Sequence, residues 1–166
     1  ALDGELRWVV SLDGPGKDQG ICVAALSNRD LVVVAVSSDG SDALTTSDTI
    51  VTRFSGSGAK QWEARLGGNP GENVIPRACA AAPDGTLRVA GQFVGPADLG
   101  DGVVTPQGDA DVFVASVRSD GSFDRSLRLG NELGESVSGL AADALGFALI
   151  GQFAGSRDFG GPTLST

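Results

Sequence analysis

The chain has 166 residues, with 25 glycines, 21 acidic against 12 basic side chains, and no histidine. That length suits one domain with its own core, and 41% hydrophobic against 20% charged residues excludes a disordered chain. A net charge of −9 argues against nucleic acid, which is bound by clustered Lys and Arg, and apolar runs of about six residues are too short for membrane insertion.

Taken in order, the chain repeats itself. Gly4 to Leu12 is a first, partial copy of Gly58 to Leu66, with Trp8 matching Trp62 and Leu12 matching Leu66. Asp48–Phe54, continuing through Gly58 to Leu66-Gly67, returns without gaps 63 residues later as Asp111–Val117 through Gly121 to Leu129-Gly130. Gly91-Gln92-Phe93 and Asp98-Leu99-Gly100 return as Gly151-Gln152-Phe153 and Asp158-Phe159-Gly160. The middle copy shows what a unit contains. Val74–Ala82 and Thr86–Val94 read as strands around a Pro83-Asp84-Gly85 turn, and a long Gly/Pro/Asp-rich loop follows. Asp111–Arg118 places Phe113, Ala115 and Val117 on one face by alternation, and Asp120-Gly121 turns it into Phe123–Leu129. Asp3-Gly4 has the same turn chemistry at the start. No window carries a helical stripe, so the fold class is all-β.

Four-stranded antiparallel units in tandem suggest blades of a β-propeller, because the unit spacing exceeds the usual solenoid coil. The predicted division is an outer strand in 1–13, a blade over 14–67, a blade over 68–130 and the inner half of a further blade over 131–166. Eleven strands result, a partial propeller of about three blades. The expectation is a segment of a longer array whose apolar blade faces are covered by further blades or by a second copy.

Asp111-Val-Phe-Val-Ala, Gly121 onward to Leu129-Gly130, Gly134-Glu135, Gly151-Gln-Phe and Asp158-Phe-Gly-Gly resemble the bacterial β-propeller repeats called SBBP repeats. The likeness covers nearly the whole chain, although Ala35-Val36-Ser37 stands in the first copy where Gly-Gln-Phe stands in the others. It implies a secreted or cell-surface bacterial protein with a binding or scaffold role.

Strand direction puts both long loops of each unit on one rim, and loops on a rigid scaffold are where function usually sits. Lys17 and Asp18, Glu72 and Asn73, and Glu135 and Ser136 each precede a unit's innermost strand, and together they predict a polar ligand-binding ring at the channel mouth. The other long loops carry Asp98, Asp101 and Asp158 as candidate calcium ligands, since calcium takes six to eight oxygens. No calcium-binding loop motif accompanies them, and recurrence of Asp98 with Asp158, and of Asp48 with Asp111, equally predicts side chains that fix their own turns. Trp8 and Trp62, with Arg125 at the third equivalent place, predict packing between units.

Cys22 aligns with Ala78, and Cys79 with Val23, so the two thiols lie on opposite faces of adjacent innermost strands. They either face each other, forming an inter-blade disulfide if the Cα atoms lie within about 7 Å, or remain separate buried thiols. Without His or Tyr, no Ser-His-Asp or Cys-His arrangement can be built from these residues. Carboxylate pairs such as Asp109/Asp111 or Glu132/Glu135 fall largely in turns rather than across a cleft. The expected function is therefore a non-catalytic extracellular interaction or scaffold module with no cofactor. The alternatives are a carbohydrate- or calcium-dependent adhesin-like binder, with a glycan or protein ligand, and a piece of a propeller enzyme.

Overall fold

The computed structural model describes residues 4–12, 16–38, 47–69, 71–157 and 164–165. The chain is all-β, as its alternation predicts, and no helix occurs among the described residues. The first unit is an antiparallel meander of β1 (Asp18–Ala25), β2 (Leu31–Ser38), β3 (Ser47–Phe54) and β4 (Lys60–Leu66). The second is built from β5 (Asn73–Ala81), β6 (Leu87–Val94), β9 (Asp111–Val117) and β10 (Phe123–Leu129), paired in the same order. Within its long loop, β7 (Ala97–Asp98) and β8 (Val103–Val104) form a short hairpin that the Gly/Pro-rich composition concealed. A third pair, β11 (Ser136–Ala142) with β12 (Phe147–Gln152), is followed by β13 (Ser156–Arg157) and β14 (Leu164–Ser165).

Register repeats as closely as sequence. Asp48 of β3 lies opposite Ser37, and Asp111 of β9 opposite Phe93. Each unit's first strand carries an irregularity at the same place, between Gly20 and Cys22, Pro76 and Ala78, and Val137 and Gly139. The extra residue in such a bulge bends and twists the strand locally. One parallel bridge, Ser47 to Asn73, joins the first two units into a single eight-stranded sheet. Beside it the buried Thr49 hydroxyl donates to the Val74 carbonyl at 2.9 Å.

The larger core lies between these two units. Val51 and Leu66 of the first meet Val74, Leu87, Val89, Phe93, Phe113 and Val117 of the second. The side chains of β9 point alternately to two cores. Phe113, Ala115 and Val117 face this one, while Val112 and Val114 join Ala90 and Val137 in a smaller cluster toward β11–β12. All of β9 is buried, as expected of a strand covered on both faces.

The expected outer strand near the N-terminus is a correction. Gly4 to Leu12 forms no strand and pairs with none of the described strands, although Val10, Ser11 and Leu12 line a hollow with Lys60, Glu63 and Arg65 of β4. Its anchor is a side chain: the Trp8 ring lies tilted against Phe54 with centroids 6.1 Å apart and donates Nε1–H to the Gly56 carbonyl at 3.2 Å.

Candidate functional site: loop acids and unit junctions

The six predicted rim residues are divided among separate places. Lys17 and Asp18 border a hollow of about 590 Å³ with Gln19, Ser38 and Arg77. Glu135 and Ser136 border a different groove of about 450 Å³, between β9–β10 and β11–β12. Glu72 and Asn73 are buried, each about 7% exposed. The Glu72 carboxylate is used by its own surroundings: it accepts from the Asn69 backbone and side-chain amides, at 3.3 and 2.8 Å, and from the Asp98 backbone N–H at 3.3 Å. Glu135 is similarly buried and accepts the Asn131 N–H at 3.3 Å. A carboxylate at these positions staples the loop that enters an innermost strand. Asn69 and Asn131, the partners, were not singled out from sequence, although both stand a few residues before the Glu in each unit.

The candidate calcium ligands also hold loops. Asp98 Oδ1 accepts the N–H groups of Gly100 and Gly102, at 2.8 and 3.3 Å, closing the β7–β8 turn. Asp101 accepts the Ser126 N–H at 2.8 Å and its hydroxyl at 2.6 Å, and this bonding lowers its pKa below the ordinary aspartate value. Asp158 lies outside the described residues. Among the described residues no three His, Cys, Asp or Glu side chains are grouped as a metal site.

Asp111 fixes the loop that precedes it, one of the alternatives its recurrence raised, whereas Asp48 pairs with an arginine of the neighbouring strand. Fully buried Asp111 accepts from Gln107 N–H at 3.0 Å and Gly108 N–H at 3.4 Å, and pairs with Arg128 at 2.7 Å. Asp48 meets Arg65 at a looser 3.5 Å, and burial raises its pKa against the lowering pull of that guanidinium. Arg65 and Arg128 recur at the same spacing as the acids, so this partnership was visible in the repeat.

The junction between the first two units gathers the remaining singled-out residues. Cys22 and Cys79 form a disulfide with Cα atoms 6.1 Å apart, which selects the facing arrangement over separate thiols. Trp62 lies across Gly121, where an added Cβ would stand 2.9 Å from the indole, and donates Nε1–H to the Ser119 carbonyl at 2.9 Å. Trp8 makes the equivalent contacts with Gly58 and Gly56. Gly121 and Gly58, both at positive φ, thus serve the turn and the tryptophan above it. Arg53 completes the junction: Nη1 donates to the same Ser119 carbonyl at 2.6 Å, and Asp30 holds its Nη2 at 2.8 Å.

Chemically, these acids accept internal N–H groups or pair with arginine, and the recurring aromatics pack one unit on the next. No protein-family model matches the chain, and no curated protein matches it.

Proposed function

We propose that the chain is a partial β-propeller: two four-stranded blades, the inner half of another and an N-terminal tether, serving as a non-catalytic scaffold or interaction module outside the cell. The observation that carries this is the recurrence of one register and one junction. β1–β4 and β5–β6–β9–β10 share strand order and bulge position, and Trp8 and Trp62 each cap the last turn of the following unit. A disulfide supports a secreted or surface location, since such bonds persist in oxidising compartments. The SBBP-like motifs point the same way. The rim acids support a structural role, because Glu72, Asp98 and Asp101 spend their oxygens on backbone and serine donors.

If the second junction repeats the first, Ala78 and Leu140 occupy the places of Cys22 and Cys79, because Ala78 and Leu140 pair with Ala90 and Leu149 as Cys22 and Cys79 pair with Val34 and Val89. The double variant Ala78→Cys/Leu140→Cys is expected to form a second disulfide under mild oxidation, seen by mass spectrometry of an unreduced digest. Free thiols at both positions in a folded protein would overturn the propeller arrangement. Melting the native chain with calcium and with EDTA separates the calcium-dependent alternative: equal midpoints are expected, and a marked rise with calcium would favour a calcium-dependent binder.

A further inference from the structure

β12 has the register of β6 but lacks its second neighbour. Among the described residues it pairs with β11 alone, whereas β6 pairs with both β5 and β9. Matching the two pairs sets Phe147 on Leu87, Leu149 on Val89, Gly151 on Gly91 and Phe153 on Phe93. Leu87, Val89 and Phe93 are at most 1% exposed, because β9 sends Phe113, Ala115 and Val117 into the same core. Phe147, Leu149 and Phe153 are only half-buried, and they line the 450 Å³ groove opposite Leu127 and Leu129. The groove is therefore the space that a β9-like strand fills one unit earlier.

Glycine at position 151 leaves room for an aromatic side chain on that strand. In the first unit Ala35 lies opposite Ile50, and in the second Gly91 lies opposite Phe113. A Cβ on Gly91 would stand 2.8 Å from the Phe113 ring, so the larger side chain requires the smaller partner. Gly151 keeps the glycine. Its absent side chain also avoids the Ser136 carbonyl, as that of Gly91 avoids the Ile75 carbonyl.

We propose that the free edge of β12 binds an extended, antiparallel partner strand of the pattern Asp-x-aromatic-x-small-x-apolar, with the aromatic ring over Gly151. The small residue then lies opposite Leu149 and the last apolar residue opposite Phe147, as in the β6–β9 ladder. Backbone hydrogen bonds along the edge supply affinity, and alternate side chains in the groove supply specificity. This inference rests on the repeat equivalence used above.

The probe is a fluorescent peptide with the sequence of residues 109–120, titrated into the 166-residue protein by anisotropy. Saturable binding is expected, weakened at least about tenfold by Phe113→Ala in the peptide, as befits loss of a buried aromatic anchor. A peptide with the sequence of residues 46–57, bearing Ile50 in place of the aromatic, should bind more weakly than the first. Register is read independently by cross-linking. Gln152→Cys in the protein should join a peptide carrying Val112→Cys, matching the Gln92–Val112 pair, in preference to one carrying Ser116→Cys. No binding, indifference to the Phe113→Ala change, or equal cross-linking of both peptides would overturn the proposal. So would sedimentation showing a stable dimer that excludes the peptide, since a second copy would then cover the groove. Formation of the Ala78→Cys/Leu140→Cys disulfide would be unaffected by failure here, which separates this inference from the propeller reading.

Discussion

The two junctions between successive units use equivalent strands and reach different ends. At the first, Cys22 is bonded to Cys79, Trp62 covers Gly121, and Arg53 ties Asp30 to the Ser119 carbonyl. At the second, the equivalent residues are Ala78, Leu140, Arg125 and Ser116, and a 450 Å³ groove remains where the first junction is filled. Strand order and bulges are common to both, so they belong to the repeat itself. Closure belongs to the side chains that particular copies add.

The largest contrast should come from matched aromatic truncations. Phe113→Ala empties a fully buried site between the first two units and is expected to cost about 3–5 kcal/mol in urea unfolding. Phe147→Ala removes a half-buried ring at the open groove, where water already reaches, and should cost less than about 2 kcal/mol. Equal losses would mean that the second junction is as tightly packed as the first.

Next in size is the covalent link. Cys22→Ser/Cys79→Ser is expected to lower stability by about 2–4 kcal/mol, since the bond closes a long loop across the junction. Hydrogen exchange checks where that stability resides. In the native chain β1 and β5 should exchange more slowly than β11 and β12, and the double variant should reduce the difference. Unchanged exchange at β1 and β5 would show that packing alone holds the first junction.

Much of this framework was legible beforehand because register and turn chemistry leave local marks. Alternation in Asp111–Val117 marked a strand, and Asp84-Gly85 and Asp120-Gly121 marked turns that close through Ala82–Thr86 and Arg118–Ser122 hydrogen bonds. The turn before β2 shows where such marks fail. There Arg29 takes the left-handed conformation, φ 70°, that glycine usually supplies, and Asn28 and Asp30 brace it. The β7–β8 hairpin was hidden for a similar reason: two-residue strands are too short to show periodicity, and Asp98, the residue that closes their turn, also stood as a candidate metal ligand. Whether the cysteines met depended on the distance between strands 57 residues apart, which alternation alone cannot supply.

The smallest expected effect is a dependence on pH, part of which comes from the first junction. The Arg53 guanidinium, helped by the Asn28 amide, holds the Asp30 carboxyl below its ordinary pKa. A carboxyl lowered in the folded state contributes stability that is present above its unfolded pKa of about 4 and is lost as pH falls through the folded value. Asp48 acts oppositely, because burial raises its folded pKa: its charged form opposes folding, and that penalty fades as pH falls below the raised value. On acidification Asp48 is therefore relieved first, and the Asp30–Arg53 clamp opens later and lower. Asp30→Asn should reduce the loss of stability below about pH 4, to which the lowered Asp84, Asp101 and Asp120 also contribute, while Asp48→Asn should reduce the change above it. Among the described residues the second junction has Ser116 in the place of Arg53 and no such arginine clamp, so acid should speed exchange at the Ser119 turn while leaving the β11–β12 ladder comparatively unchanged. Acid-induced exchange that begins instead in β11–β12 would place the pH-sensitive contact outside the Arg53 junction.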